Sequence, residues 1–284
     1  MFLLDRKAIR AFKRNKAAVI GLILLALLVF TAIFANLLAP YDVREQNIRQ
    51  RYSPPGAKHV LGTDDLGRDV LSRIILGSRV SLYVGISSVF FSLCIGVVLG
   101  LFAGYKGGHV DNFITRIIDM LMSFPSLLLG ILVVSALGPG LRNAIIAIAL
   151  AFIPRFARVA RGPTLALKEQ EFVLACRAAG ASEMRIIFIH ILPNLVGELV
   201  VMASLWMATA IIIESSLSFL GLGVQPPTPS WGMMIKRGVD EILIAPWLAV
   251  FPGIAISIAV LAFNLIGDGM RDLLDPKTRG ELAG

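Results

Sequence analysis

Uncharged apolar stretches alternate with polar segments along most of this 284-residue chain. A helix of about 20 apolar residues crosses the hydrocarbon core of a bilayer, which is ~30 Å thick. The weakest stretch carries Arg155 and Arg158, which must snorkel or face protein if it is to span. The pattern predicts an all-α, polytopic membrane protein with six transmembrane helices, at 17–39, 80–104, 117–137, 142–160, 199–222 and 242–267.

The basic residues predict the orientation of the chain. Lys and Arg accumulate in the cytoplasmic loops of membrane proteins. If both termini lie inside, the cytoplasmic segments hold most of the 27 Lys and Arg residues. We therefore expect a multi-pass protein of the cytoplasmic membrane with both termini in the cytoplasm.

The same pattern divides the chain into segments. Residues 1–16 are basic and form an interfacial helix or, equally well, a disordered tail. Residues 17–39 form a retained first span, because the apolar core of a signal peptide is only about 7–15 residues long. Residues 40–79 form an outer loop, and 80–284 form a core of five further spans.

Composition narrows the class of protein. The chain is 56% hydrophobic and 16% charged, whereas soluble domains carry about 25% charged residues. The net charge of +8 flanks apolar spans, which favours contact with membrane lipid headgroups over nucleic acid binding. The two cysteines are placed where they cannot pair, so we predict neither a disulfide nor a metal site.

The polar segment 162–194, here called the elbow, is the most informative part of the sequence. Pro163 suits the first turn of a helix and Gly180 suits its C-terminus. Ser182 can cap a second helix over 183–192, which Pro193 ends. Two short helices joined at a glycine could dock a partner protein or simply connect two spans, and both interpretations stay open.

Polar residues inside the predicted spans are candidates for a pathway. Glu214 is the clearest, with Ser215 beside it, and Asn264 lies near the inner end of the sixth span. A charge within a span is a functional hypothesis by default, but hydrogen bonding between helices explains these residues equally well. We find no catalytic arrangement and no phosphate-binding glycine loop, so we expect a protein that is not an enzyme.

The elbow resembles the EAA loop of binding-protein-dependent ABC permeases, in which a glycine precedes an I-x-L-P sequence by nine residues. Gly180, Leu192 and Pro193 match this pattern, whereas the E-A-A triplet is Leu174-Ala175-Cys176 and His190 replaces the isoleucine. Longer segments at 61–73, 218–232 and 262–276 resemble signatures of the C-type permease subunit of dipeptide and oligopeptide importers.

This resemblance implies a function and a set of partners. It implies an ATP-driven importer that moves dipeptides or oligopeptides across a bacterial or archaeal inner membrane. The partners would be a homologous second permease, two cytoplasmic ABC ATPases that hold ATP and Mg, and an extracytoplasmic substrate-binding protein; this chain would need no cofactor. The residues implied to couple to the ATPases are Glu171, Ala175, Arg177, Gly180, His190, Leu192 and Pro193.

The turn at 63–69 permits two interpretations. Thr63 can cap a helix whose first turn holds two acids, with an ion pair between Asp64 and Arg68. Alternatively, its charged side chains contact the binding protein. The residues concerned are Asp64, Asp65, Arg68 and Asp69.

Three alternatives remain beside the peptide importer. The same type of importer could carry a nickel chelate or glutathione. A secondary transporter would need inverted repeats and paired midplane charges, and Glu214 is alone. A membrane-embedded enzyme would need catalytic groups within its spans, and the sequence offers none.

Overall fold

The computed structural model describes residues 15–274, so the predicted interfacial segment falls almost entirely outside it. The described chain is helical apart from its connections, with one isolated bridge between Thr63 and Asp69. The helices are α1 Lys16–Ile33, α2 Ala35–Leu38, α3 Val70–Lys106, α4 Gly108–Met122, α5 Ser126–Leu137, α6 Leu141–Leu167, α7 Glu171–Ala178, α8 Glu183–Arg185, α9 Leu192–Phe219, α10 Trp231–Asp240 and α11 Trp247–Leu274.

Five stretches of helix in the described residues are long and apolar enough to cross a membrane. The remaining predicted span, the third in chain order at 117–137, is not continuous. It consists of α4 and α5, whose axes meet at 91°. Pro125 explains the break, because proline lacks an N–H group and disfavours the helical conformation of the residue before it.

Helix α3 begins ten residues earlier than predicted. Asp69 caps the helix by accepting a hydrogen bond from the Ser72 backbone N–H at 2.8 Å. The sequence predicted a loop here because this part of the chain contains two arginines. Arg73 is buried next to Asp64, and Arg79 donates to the carbonyls of Ala32 and Ile33 at the end of α1.

The centre of the molecule is the contact between α3 and α6. Glycines spaced four residues apart let the two backbones approach each other, as the small residues of this span predict. A Cβ atom added at Gly96 would lie 2.5 Å from the Ile153 carbonyl oxygen, and one at Gly100 would lie 2.2 Å from that of Ala157. No larger side chain fits there without separating the helices.

The first span contributes little to this core. α1 packs against α11, where Gly21 lies against Leu265, and most of its remaining surface is apolar and exposed. Exposed apolar side chains are stable in lipid, which is as apolar as they are.

Helix α10 was not predicted from the sequence. Ser230 caps this helix, and Trp231 is buried with its indole N–H donating to the Ile74 carbonyl at 3.0 Å. Gly77 makes room for the ring, because a Cβ atom there would lie 2.9 Å from Trp231 Cδ1. The helix thus fixes the segment between α9 and α11 on the start of α3.

Candidate functional site

The elbow begins further along the chain than predicted. Pro163 does not start a helix; it lies inside α6, which continues to Leu167. A proline inside a helix removes one hydrogen bond, but tertiary packing can compensate. Here Thr164 is fully buried, and its Cβ lies where a side chain at Gly104 of α3 would be.

The first helix of the elbow is α7, and it ends next to Gly180, as the sequence predicted. Gly180 has a φ of +76°, in the left-handed region that glycine adopts without strain. Its N–H donates to the Arg177 carbonyl at 3.0 Å, and the N–H of Ala181 donates to the Cys176 carbonyl at 3.0 Å. These two bonds form a Schellman motif that ends α7.

Most of the surface of α7 is exposed. Val173 is fully buried and anchors the helix, while Glu171, Ala175 and Arg177 are exposed. Two large apolar residues on the same helix are also exposed: the exposed fraction is 41% for Phe172 and 48% for Leu174. A short helix that presents apolar side chains beside small and charged ones is suited to sit in a groove of another protein.

The second half of the elbow corrects the prediction for Pro193. No helix ends there: α8 passes into a π-helical segment at Ile186–Ile191 and then directly into α9. The Leu192 N–H donates to the Ile187 carbonyl, five residues back. This wider turn precedes Pro193, which occupies the first turn of α9, where its missing N–H costs least.

The continuous helix makes the elbow part of a span. Residues 183–219 form one helical stretch. Within it, Ile186, Ile187 and Ile191 are buried, His190 and Leu192 are half-buried, and Pro193 is exposed. The Asn194 side chain donates to the His190 carbonyl at 2.6 Å. A force on the start of α8 therefore acts directly on α9.

The elbow also contacts the end of α3. Lys106 forms an ion pair with Glu183 at the start of α8. Arg177 of α7 donates to the Tyr105 hydroxyl at 3.3 Å, and its guanidinium lies 5.1 Å from the centre of the Tyr105 ring. Both halves of the elbow are thus linked to the helix that forms the centre of the core.

Two arginines of α6 are paired with acids of α4. Arg161 donates two hydrogen bonds to Asp111, at 2.5 and 2.7 Å, and Arg158 lies 2.6 Å from Asp119. Arg158 therefore has an ion-pair partner within the protein, although both side chains are 56% exposed. The pairs fix α4 across the end of α6 near the elbow.

Glu214 is fully buried where α9 meets α3. It accepts hydrogen bonds from the Ser81 hydroxyl at 3.1 Å and the Ser218 hydroxyl at 2.8 Å, with Ser215 at 3.4 Å. This geometry holds two helices together, and a role of Glu214 in the pathway stays a prediction. Asn264 is half-buried on α11.

The turn at 63–69 is not the start of a helix, because Asp69 rather than Thr63 caps α3. The predicted ion pair between Asp64 and Arg68 is present at 2.7 Å. Both side chains are buried, as is Asp69, which also lies 2.9 Å from His59 Nδ1. Burial favours a structural role for these three residues over contact with a binding protein.

Asp65 is the member of this group that reaches the surface, with 35% of its side chain exposed. It lies 3.2 Å from Arg237 and so joins the segment between α2 and α3 to α10. Tyr52 lies nearby, and its burial together with the neighbouring Glu241 carboxylate raises its pKa. The sequence could not reveal the role of Arg237, because it lies 172 residues away from its partner.

Two family models match the chain. Residues 96–280 match the model described as the binding-protein-dependent transport system inner membrane component. Residues 5–55 match the N-terminal transmembrane domain of oligopeptide transport permease C. Together they match α1 and α2, the end of α3 from residue 96 onward, and all of the later helices, including those of the elbow.

Curated relatives agree with these models. The chain is 47% identical to the dipeptide transport system permease protein DppC of Alkalihalophilus pseudofirmus, over 96% of this chain and 90% of the relative. It is 48% identical to the glutathione transport system permease protein GsiD of Escherichia coli, over 95% and 90%. The di/tripeptide permease DppC of Pseudomonas aeruginosa is 45% identical over 95% of this chain and 91% of the relative.

Solved structures show the same fold. A chain of the MetNI methionine ABC transporter, in an inward-facing conformation, superposes with a TM-score of 0.57 at 20% identity. The superposition covers 72% of this chain and 97% of that chain. At this level of identity the likeness concerns the fold alone.

Proposed function

The chain belongs to the family of binding-protein-dependent transport system inner membrane components, and from this premise we propose that it is one of two permease subunits that import peptides. It is the membrane subunit of an ABC importer. The homologous second permease would form the other wall of the pathway, and a binding protein would deliver the cargo. This assignment rests on similarity along nearly the whole chain.

The observation that carries the mechanism is the exposed surface of α7. Phe172 and Leu174 lie exposed there, next to Ala175 and between the charges of Glu171 and Arg177. We infer that this surface docks in a groove of a cytoplasmic ABC ATPase. ATP and Mg would be held by the two ATPase subunits, so this chain itself needs no cofactor.

The connections of the elbow suggest how the ATPases drive the pathway. ATP binding would bring the two ATPases together and move α7 and α8. Because α8 continues into α9 and contacts the end of α3, this movement would tilt two spans at once. The pathway would then open to the outside, and hydrolysis would reset it.

The proposed orientation places the elbow and both termini in the cytoplasm. The end of the molecule at the elbow carries Lys106, Lys168 and Arg185, in keeping with the excess of basic residues in cytoplasmic loops. The outer loops, with α10, would then face the binding protein. This arrangement requires the bacterial or archaeal cytoplasmic membrane.

The proposed cargo is a dipeptide or a short oligopeptide. Two of the similar permeases are named for dipeptides or di/tripeptides. Glutathione is a second candidate, because permeases named for glutathione are 48% identical to this chain. These cargoes share a peptide backbone and at least one free carboxylate.

Uptake into proteoliposomes tests the proposal. The complete complex contains both permeases, the ATPases and the binding protein. It should import a labelled dipeptide only when ATP is supplied on the side of the membrane where the ATPases lie. Vanadate, which traps ABC ATPases, should stop the uptake. Uptake that continues at an unchanged rate with vanadate, or without ATPase subunits, would instead identify a secondary transporter.

A further inference from the structure

Arg155 precedes Arg158 and Arg161 on α6, and it differs from both. Arg158 and Arg161 are paired with Asp119 and Asp111. Among residues 15–274, no carboxylate lies within ion-pair distance of Arg155. Its guanidinium donates to the Ser126 hydroxyl at 2.6 Å and lies 5.1 Å from the centre of the Phe152 ring.

The position of Arg155 along its helix places it deep in the membrane. At 1.5 Å per residue, the 27 residues of α6 span about 40 Å, and Arg155 is about 21 Å from the Leu141 end. If a hydrocarbon layer of ~30 Å lies within the length of this helix, its midplane is within about 6 Å of Arg155. An arginine at this depth almost always faces protein or a water-filled cavity, because lipid cannot solvate it.

The partner of Arg155 marks a break in the neighbouring span. Ser126 is the first residue of α5, and the preceding residues Ser123, Phe124 and Pro125 are exposed in the single chain. Non-helical backbone at membrane depth is tolerated only where it is covered by protein or lines an aqueous cavity. The half-buried Arg155 and the exposed break therefore lie on a surface that faces the interior of the assembled transporter.

We propose that Arg155 lines the translocation pathway and binds a carboxylate of the cargo as the cargo passes between the two permeases. The proposal rests on the proposed function, which supplies a peptide with a free carboxylate. A guanidinium binds a carboxylate through paired hydrogen bonds that are stronger than those between neutral groups. Ser126 would hold the guanidinium in place while the pathway is empty.

Two other sources of negative charge make different predictions. An acidic residue of the second permease or a lipid phosphate would also neutralise Arg155. Either would give Arg155 a role in assembly, and its loss would affect every cargo to the same extent. A cargo contact instead makes the effect depend on whether the cargo has a carboxylate.

The test compares a labelled dipeptide with its C-terminal amide in proteoliposomes that hold the complete complex. Each cargo is supplied at a concentration that saturates the binding protein, and the maximal import rate is measured. Arg155→Gln should lower import of the free acid by about tenfold, the effect of losing one charge-assisted hydrogen bond, and should abolish the preference for acid over amide. Arg155→Lys should retain part of that preference.

Matched measurements separate this result from misfolding. Arg142→Gln removes an exposed arginine from the outer end of the same helix and should leave both rates unchanged. ATP hydrolysis stimulated by the loaded binding protein should stay within about twofold of wild type in Arg155→Gln, since the charge acts on cargo and not on assembly. An equal loss for acid and amide, an unchanged import rate, or a preference that survives in Arg155→Gln would overturn the inference. A wild-type complex that imports neither cargo would overturn the proposed function and this inference with it.

Discussion

At the scale of single residues, two exposed glycines of the elbow region form a matched pair. A Cβ atom added at Gly180 or at Gly162 would meet no atom within 4 Å. The two positions differ in backbone conformation, because Gly180 has a φ of +76° while Gly162 lies inside α6. A side chain added at either position meets no steric clash, so the two substitutions differ only in backbone strain.

We predict that Gly180→Ala destabilises the elbow by about 1–2 kcal/mol, the cost of a left-handed conformation for an L-residue. Gly162→Ala should be neutral or stabilising by up to about 1 kcal/mol, because alanine is the better helix former. Limited proteolysis of the elbow, measured in detergent at a series of temperatures, compares the two. Equal sensitivity of both variants would contradict the assigned conformation of Gly180.

The residue scale also shows what the sequence could reveal about the site. Gly180 was predictable because a glycine after an alanine-rich helix is a strong end signal. The effect of Pro193 was not, because a wide π turn before a proline leaves no mark in the sequence. The burial of Asp64 and Arg68 was equally hidden, since the residues that cover a loop come from distant parts of the chain.

At the scale of elements, the contact between the elbow and α3 deserves a direct test by charge reversal. Lys106 and Glu183 are both partly exposed, so their ion pair contributes about 0.2–1 kcal/mol. This energy is small compared with folding, but it joins two elements that the proposed mechanism moves together. The pair can therefore be reversed without endangering the fold.

We predict that Lys106→Glu lowers the number of peptides imported per ATP hydrolysed by about twofold to fivefold, in line with the energy of the pair. The double variant Lys106→Glu with Glu183→Lys should recover most of the loss. A double variant no better than Lys106→Glu alone would show that the pair does not transmit movement.

The elements also show where hydrophobic pattern succeeds and where it fails. Six apolar stretches were found at nearly correct positions, because the bilayer demands a long uncharged run for each. The pattern did not predict the break at Pro125, because the residues on both sides of it are apolar. The predicted start of α3 was too late, because Arg73 and Arg79 are charged residues of the kind found in loops. The pattern also missed α10, which is too short and too polar to resemble a span.

At the scale of the whole molecule, the orientation can be tested with two exposed positions at opposite ends. Leu243, between α10 and α11, is 97% exposed, and Ala175 lies on the exposed surface of α7. In a background with Cys94 and Cys176 replaced by serine, we predict that an impermeant maleimide added to intact cells labels Leu243→Cys. In cells that lack the ATPase subunits, Ala175→Cys should react only after the membrane is opened.

The reverse labelling pattern would place the elbow outside the cell and exclude docking of a cytoplasmic ATPase. The prediction follows from the distribution of basic residues, which sets the overall orientation of multi-pass proteins. It is independent of any assignment of cargo. Labelling therefore separates an error in orientation from an error in function.

The central claim is that the exposed surface of α7 docks an ATPase. The most direct measurement is the amount of ATPase that co-purifies with the chain when Ala175 is replaced by glutamate. A charged, larger side chain should not fit a groove that accepts alanine, so Ala175→Glu is predicted to lose most of the ATPase and the vanadate-sensitive uptake with it. Ala57→Glu, at an exposed alanine of the outer loop, should retain the ATPase. Full ATPase association and uptake in Ala175→Glu would contradict the account.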